Sequence, residues 1–218
     1  MKSFKLNSVS LIKTASAILS GLFGMFISFY WTSSMMKDWR YVGLIFVLVS
    51  FTQFAFTPVF KTMGLYLYLS PMLLVYNPTK SYYQLHNGTS WDYLFNRKRM
   101  KSIGVKKTIL IDFLRGLLQI IEKIENQEVD PNIKIEASSY FFSKRTAKRF
   151  GFQLEKPPIF VYANVFFNYI DLFWMYSLAH KRLRFPNLFA IKKAITTGEE
   201  LIQQKSKIKV ILSRLNKA

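Results

Sequence analysis

Two stretches of the chain, residues 14–33 and residues 41–60, hold no charged side chain. Each has about the twenty residues that a helix needs to cross a hydrocarbon core of about 30 Å. The linker Thr32–Arg40 is too short for a domain, so the pattern predicts an antiparallel helical hairpin. A secretory signal is the rival reading of the first run. Signal cores are shorter, about 7–15 residues, and end at small residues, whereas this run ends in Phe29, Tyr30 and Trp31 and is followed at once by a second. Trp31, Trp39 and Tyr41 stand where interfacial aromatics belong. Ser20, Gly24 and Ser28 recur every four residues, as do Ala17 and Gly21, giving a face on which a second helix comes close. That face serves either packing on 41–60 or a homodimer through the hairpin. In the second run Pro58 frees a backbone acceptor that must be satisfied locally.

Beyond residue 61 the pattern changes. Residues 65–76 are apolar with little helical period, Asn77–Lys80 reads as a turn, and residues 81–86 resume a strand-like run. The expectation is a β-hairpin of 72–76 with 81–86; a membrane helix continuing through 65–75 is the alternative. Residues 87–103 read as loop and turn. Leu110, Phe113, Leu114, Leu117, Ile121 and Ile124 recur at three and four and predict an amphipathic helix over 105–126. Residues 132–137 alternate as a half-buried strand. Residues 143–150 predict a short basic helix, with Ser143 as N-cap and Gly151 ending it, and 152–156 alternate again. Residues 158–178 are apolar but hold Asn164, Asn168 and Asp171. A third span would bury Asp171 at about 2.5–3.5 kcal/mol, so a strand followed by an aromatic helix in the membrane interface is expected. Residues 188–214 predict amphipathic helix with a break at 196–198.

Composition narrows the function classes. Half the residues are hydrophobic and 17% aromatic, which excludes a disordered chain. The chain has no Cys, which excludes disulfides, thiolate metal sites and thiol catalysis. Two histidines are too few for a histidine-rich metal centre. The net charge of +19 invites a nucleic-acid reading, but no helix-turn-helix or RNP motif accompanies it, so nucleic acid ranks last among the partners. An anionic bilayer ranks first. Lys2, Lys5 and Lys13 before the first run, and Lys61 with many basic residues after the second, place both termini in the cytoplasm, as in a bacterial inner membrane. Lys37 and Arg40, offset by Asp38, oppose this weakly. P-loop, nucleophile-elbow and zincin motifs are absent.

Residues 133–157, IKIEASSYFFSKRTAKRFGFQLEKP, carry a resemblance. A strand, Ile133–Ala137, is followed by a short helix, Ser143–Phe150, and then by Gly151-Phe152 opening the next strand. In this the segment resembles the C-terminal half of the GNAT acetyltransferase fold. The resemblance covers roughly residues 97–157. It implies that helix 105–126 is the cofactor-side helix and that the segment before it is a pyrophosphate-binding loop for coenzyme A or acyl-CoA. Arg97, Arg99 and Lys101 would supply charge there, and Gly104 would let the backbone approach. The alternative for the same cluster is a juxtamembrane patch on anionic lipid.

His86-Asn-Gly-Thr-Ser-Trp-Asp92 is the second constellation. His86 is the candidate general base, with Asp92 to orient it, and Tyr140 the candidate acid. A turn whose hydroxyls and carboxylate bond their own backbone is the competing reading. The expected architecture is therefore a transmembrane hairpin (1–61), a small cytoplasmic α/β GNAT-like domain (62–157), and an interfacial segment with a basic C-terminal helix (158–218). Two functions fit it: acyl transfer from a thioester to a membrane-proximal acceptor, or a non-catalytic anchor that binds lipid or a partner protein.

Overall fold

The computed structural model describes residues 8–139 and 144–217. Helix α1 (Ser8–Lys37) and helix α2 (Ile45–Thr62) pack antiparallel across a short 3-10 turn, Trp39–Leu44. Both are long and apolar enough to cross a membrane. The outer face of α1 is exposed at Leu19, Phe26 and Phe29, and that of α2 at Val47, apolar side chains on which a protein or lipid partner would pack. The face of small residues is turned to α2: Ser20 Oγ donates to the Ala55 carbonyl, Ser28 Oγ meets Thr52 Oγ1 at 3.3 Å, and a side chain at Gly24 would strike Ala55 and Phe56. Pro58 lies inside α2. A proline offers no N–H to the carbonyl four residues back, here that of Phe54. That carbonyl accepts the indole N–H of Trp91 instead.

After α2 the chain builds a six-stranded mixed sheet from β1 (Tyr66–Ser70), β2 (Leu73–Tyr76), β3 (Tyr82–Asn87), β4 (Lys134–Ser139), β5 (Gln153–Glu155) and β6 (Lys192–Thr197). The order is β1-β2-β3-β4-β6-β5. Among the described strands only the β3–β4 pair is parallel. The crossover between these two strands runs through α3 (Ser90–Phe95), α4 (Arg97–Ile103) and α5 (Val105–Glu125). Helix α5 buries Leu114, Leu117, Ile120 and Ile121 completely against Leu73, Val75, Leu85 and Ile135. Gly116 sits where α5 crosses β2, and a Cβ there would collide with Leu73. Helices α9 (Gly198–Gln203) and α10 (Lys205–Lys217) close the same layer, with Leu201 and Ile208 fully buried in it.

The β2–β3 hairpin, α5, β4 and β5 stand where the sequence places them, and β1 replaces the alternative of a helix through 65–75. Gly151 ends α6 (Lys144–Arg149) at φ +79°; Ser143, its expected N-cap, lies outside the described residues. Three readings are corrected. Residues 87–103 are helical: Thr89 and Asp92 form a capping box that starts α3. Residues 158–178 hold no strand. They form α7 (Ile159–Phe167) and α8 (Tyr169–His180), interrupted at Asn168, whose backbone N–H and side-chain amide both donate to the Asn164 carbonyl and so cap the end of α7. Residues 192–197 are strand, because Ile195, Thr196 and Thr197 are β-branched. The break read at 196–198 is the capping box of Thr197 with Glu200 that starts α9.

Candidate functional site

The parallel pair comes apart. Register runs from Tyr82 opposite Lys134 to Leu85 opposite Ala137 and stops. Beyond it His86 and Asn87 pair only with β2, while Ser138 and Ser139 pair only with β6. A strand has two hydrogen-bonding edges, so the facing edges past this fork carry backbone groups without a sheet partner.

A cavity of about 400 Å³ opens at the fork, on the sheet face opposite α5. Strand alternation sets the division: Tyr83 and Leu85 pack under α5, while Gln84 and His86 line the cavity. Tyr66 and Tyr76 extend the wall along β1 and β2, Ser138 closes it from β4, and α2, α7 and α8 cover it. The volume falls in the range of small-molecule sites. Its lining is unusually polar for a cavity against two apolar helices, with Asn164, Asn168 and Asp171 on α7, α8 and the break between them. Asp171 Oδ1 accepts from Ser90 Oγ at 3.0 Å and from Trp174 Nε1 at 3.3 Å.

The candidate dyad is not formed. His86 stacks edge-on against Tyr76, with ring centroids 4.1 Å apart. Its Nε2 is buried and has no hydrogen-bond partner. Burial pulls its pKa down to about 4, so the ring is neutral at pH 7. Asp92 serves α3 instead. It accepts from the Thr89 N–H at 2.7 Å, the Thr89 hydroxyl at 2.9 Å and the Tyr68 hydroxyl at 3.0 Å. Burial raises its pKa and these bonds oppose the rise. Tyr140 lies outside the described residues.

The basic cluster is a helix, α4, rather than a loop. Arg97 and Lys101 are exposed on it. Arg99 is held by a two-pronged ion pair with Asp112, both bonds 2.7 Å, and the Asp112 side chain is fully buried. Removing one partner of such a pair leaves a buried charge uncompensated, so the role of Arg99 is structural. Gly104 links α4 to α5 at φ +87°, which accounts for a glycine there without a ligand. Arg97, Arg99, Lys101 and Gly104 do not line the cavity.

Tyr66, Tyr76, Asn164 and Asp171 went unassigned in the sequence. Burial pushes the hydroxyls of Tyr66 and Tyr76 upward, so both are neutral donors at pH 7. The tyrosines lay in a strand run too ordinary to mark them. Asp171 did carry a signal: it is the one acidic residue between Lys156 and Lys181, and an ionisable group in an apolar run is a pointer to function. No family model, curated protein or solved structure matches this chain.

Proposed function

We propose that the chain is a membrane-anchored acyltransferase of GNAT type, whose domain faces the cytoplasm and moves an acyl group from a thioester such as acyl-CoA to an amine or hydroxyl on a membrane-proximal acceptor. The observation that carries this is the fork between β3 and β4, with a cavity of about 400 Å³ at its mouth. Unpaired strand edges bind an extended chain of amides as an added strand would, and the arm of coenzyme A is such a chain. The succession β4, α6, Gly151-Phe152, β5 supports the same fold. In the reaction the acceptor's lone pair attacks the thioester carbonyl, the carbon–sulfur bond breaks, and the acceptor's proton leaves as the new bond forms. His86, whose ring lines the cavity, is the base on this reading, its Nε2 buried and without a partner. The Tyr76 hydroxyl is the donor for the departing thiolate.

A second reading, a non-catalytic anchor on anionic lipid, draws on the exposure of Arg97, Lys98 and Lys101 outside the cavity. Thermal unfolding of detergent-solubilised protein with acyl-CoA separates the two. The acyltransferase reading expects a rise in Tm that Ser138→Phe removes, by filling the fork, and that Lys101→Ala leaves in place. No rise at millimolar acyl-CoA would leave the lipid-binding anchor as the function.

A further inference from the structure

The helical pair α7–α8 runs beside α2 well past the sheet. Near the sheet, α7 and α8 share the cavity with Gln53, Phe54 and Thr57 of α2. Farther along, Ile170 and Trp174 lie against Val47, Ser50 and Phe51. At the tip, Phe166 and Phe167 pack on Phe46, with centroids 4.9 and 6.2 Å apart. Phe46 is eight residues up the helix from Phe54, where Trp91 docks. At 1.5 Å per residue the tip stands about 12 Å beyond that point, beside a stretch of α2 that carries no charge. Phe160, Phe166 and Phe167 are exposed, and Lys181, Arg182 and Arg184 follow as soon as α8 ends. Exposed aromatics ending in a basic cluster match a segment inserted from the side of anionic headgroups.

The covered cavity has its own chemistry. Among the described residues, Asp171 is the only acidic or basic side chain in its wall, His86 being neutral. A lone carboxylate, already taken out of water and facing a polar chamber, favours a cationic group, and it can accept the proton that an ammonium must lose before its nitrogen has a lone pair to attack with.

We infer that α7–α8 is a re-entrant hairpin dipping into the bilayer beside α2, and that it admits from the lipid a single acceptor class: an amine-headed amphiphile whose head meets Asp171. This rests on reading the cavity as the acceptor site of the proposed transferase, but its test uses no thioester, so the two fail separately.

The natural chain has no Cys, so single cysteines label uniquely. In lipid nanodiscs, nitroxides at Phe166→Cys and Val47→Cys should both relax faster with oxygen than with a water-soluble nickel chelate, and Lys209→Cys on α10 should do the reverse. A nickel-dominated Phe166→Cys beside an oxygen-dominated Val47→Cys would overturn the re-entrant hairpin. In the second arm, a long-chain alkylamine carrying a diazirine should label peptides of α2 or residues 159–180. Asp171→Ala should cut that labelling at least tenfold, while the Phe166→Cys accessibility of the same variant shows that the hairpin is still in place. A short-chain, water-soluble amine should not compete. Labelling unchanged by Asp171→Ala, or equal competition by the short-chain amine, would overturn the amphiphile site.

Discussion

The bond from Trp91 to the Phe54 carbonyl allows a quantitative test of how the α/β domain is fastened to the hairpin. Pro58 removes the N–H that would satisfy this carbonyl within α2, and the indole of Trp91 takes its place. The ring also stacks on Phe54 at 4.6 Å and 7°, and on Phe95 at 5.4 Å and 17°. Trp91→Phe keeps an aromatic ring in this stack and deletes the donor. A buried acceptor left unpaired costs about 1–3 kcal/mol. In a chain of this size each kcal/mol moves Tm by about 2–4 °C, so Trp91→Phe should lower Tm by at least a few degrees. The decisive measurement is the double-mutant cycle with Pro58→Ala. That substitution restores a backbone N–H four residues on, so in its background the Phe54 carbonyl keeps a donor when Trp91 is lost. The penalty of Trp91→Phe should then shrink to the loss of ring area, a coupling of about 1–2 kcal/mol. Tm by intrinsic fluorescence of the four detergent-solubilised proteins reads it. If Trp91→Phe costs the same in the natural chain and in the Pro58→Ala background, the indole is not replacing the missing helix bond.

Two further outcomes follow from burial. The folded pKa of His86 is about 4 against an ordinary value of 6.5, so the unfolded chain takes up its proton first as pH falls. Above pH 6.5 the residue has no effect on stability. Between 6.5 and 4 stability is lost, by about 2 kcal/mol at pH 5; His86→Gln should flatten that part of the Tm–pH profile, and an imidazole NMR signal from His86 that titrates near 6.5 would refute the burial. Gly116→Ala gains about 1 kcal/mol of helix propensity but drives a methyl into Leu73, where overpacking costs about 1–3 kcal/mol. A net fall in Tm is expected, and an increase would show that α5 does not lie on β2 as closely as described.

Where a segment's own period matched its burial, the sequence was legible. Helix α5 has one face under the sheet and one outside, so the spacing of Leu110 to Ile124 declared it. The β2–β3 hairpin was declared by Asn77–Lys80. Residues 192–197 carried a short local signal in the β-branched Ile195, Thr196 and Thr197, but β6 is inserted between β4 and β5, strands from well upstream, and the sequence around it does not record that placement. The amphipathic period of 198–217 then carried the helical reading backward over it. Residues 87–103 failed for a different reason. Helices of six or seven residues barely complete two turns; α3 is held by its capping box and by packing on α2, and α4 by packing on α5, rather than by a repeating face.

The site was less legible than the fold, because its chemistry is assembled from segments far apart in the chain. His86 and Asp92 are close in sequence, but the helix that starts at Ser90 turns the carboxylate back onto Thr89 and Tyr68. What faces His86 across the cavity comes from α7 and α8, more than seventy residues later. The same physics that hid the site places it against α2. Asn168 breaks an apolar run that would otherwise have continued as one helix, and the break folds α8 back along α2. That return brings Asp171 to Ser90, at the start of the crossover that leaves the fork. A continuous helix over 159–180 would carry Asp171 away from the sheet and leave the cavity without its cover. The polar residues that made 158–178 a poor transmembrane span are thus the ones that shape it into a wall of the cavity.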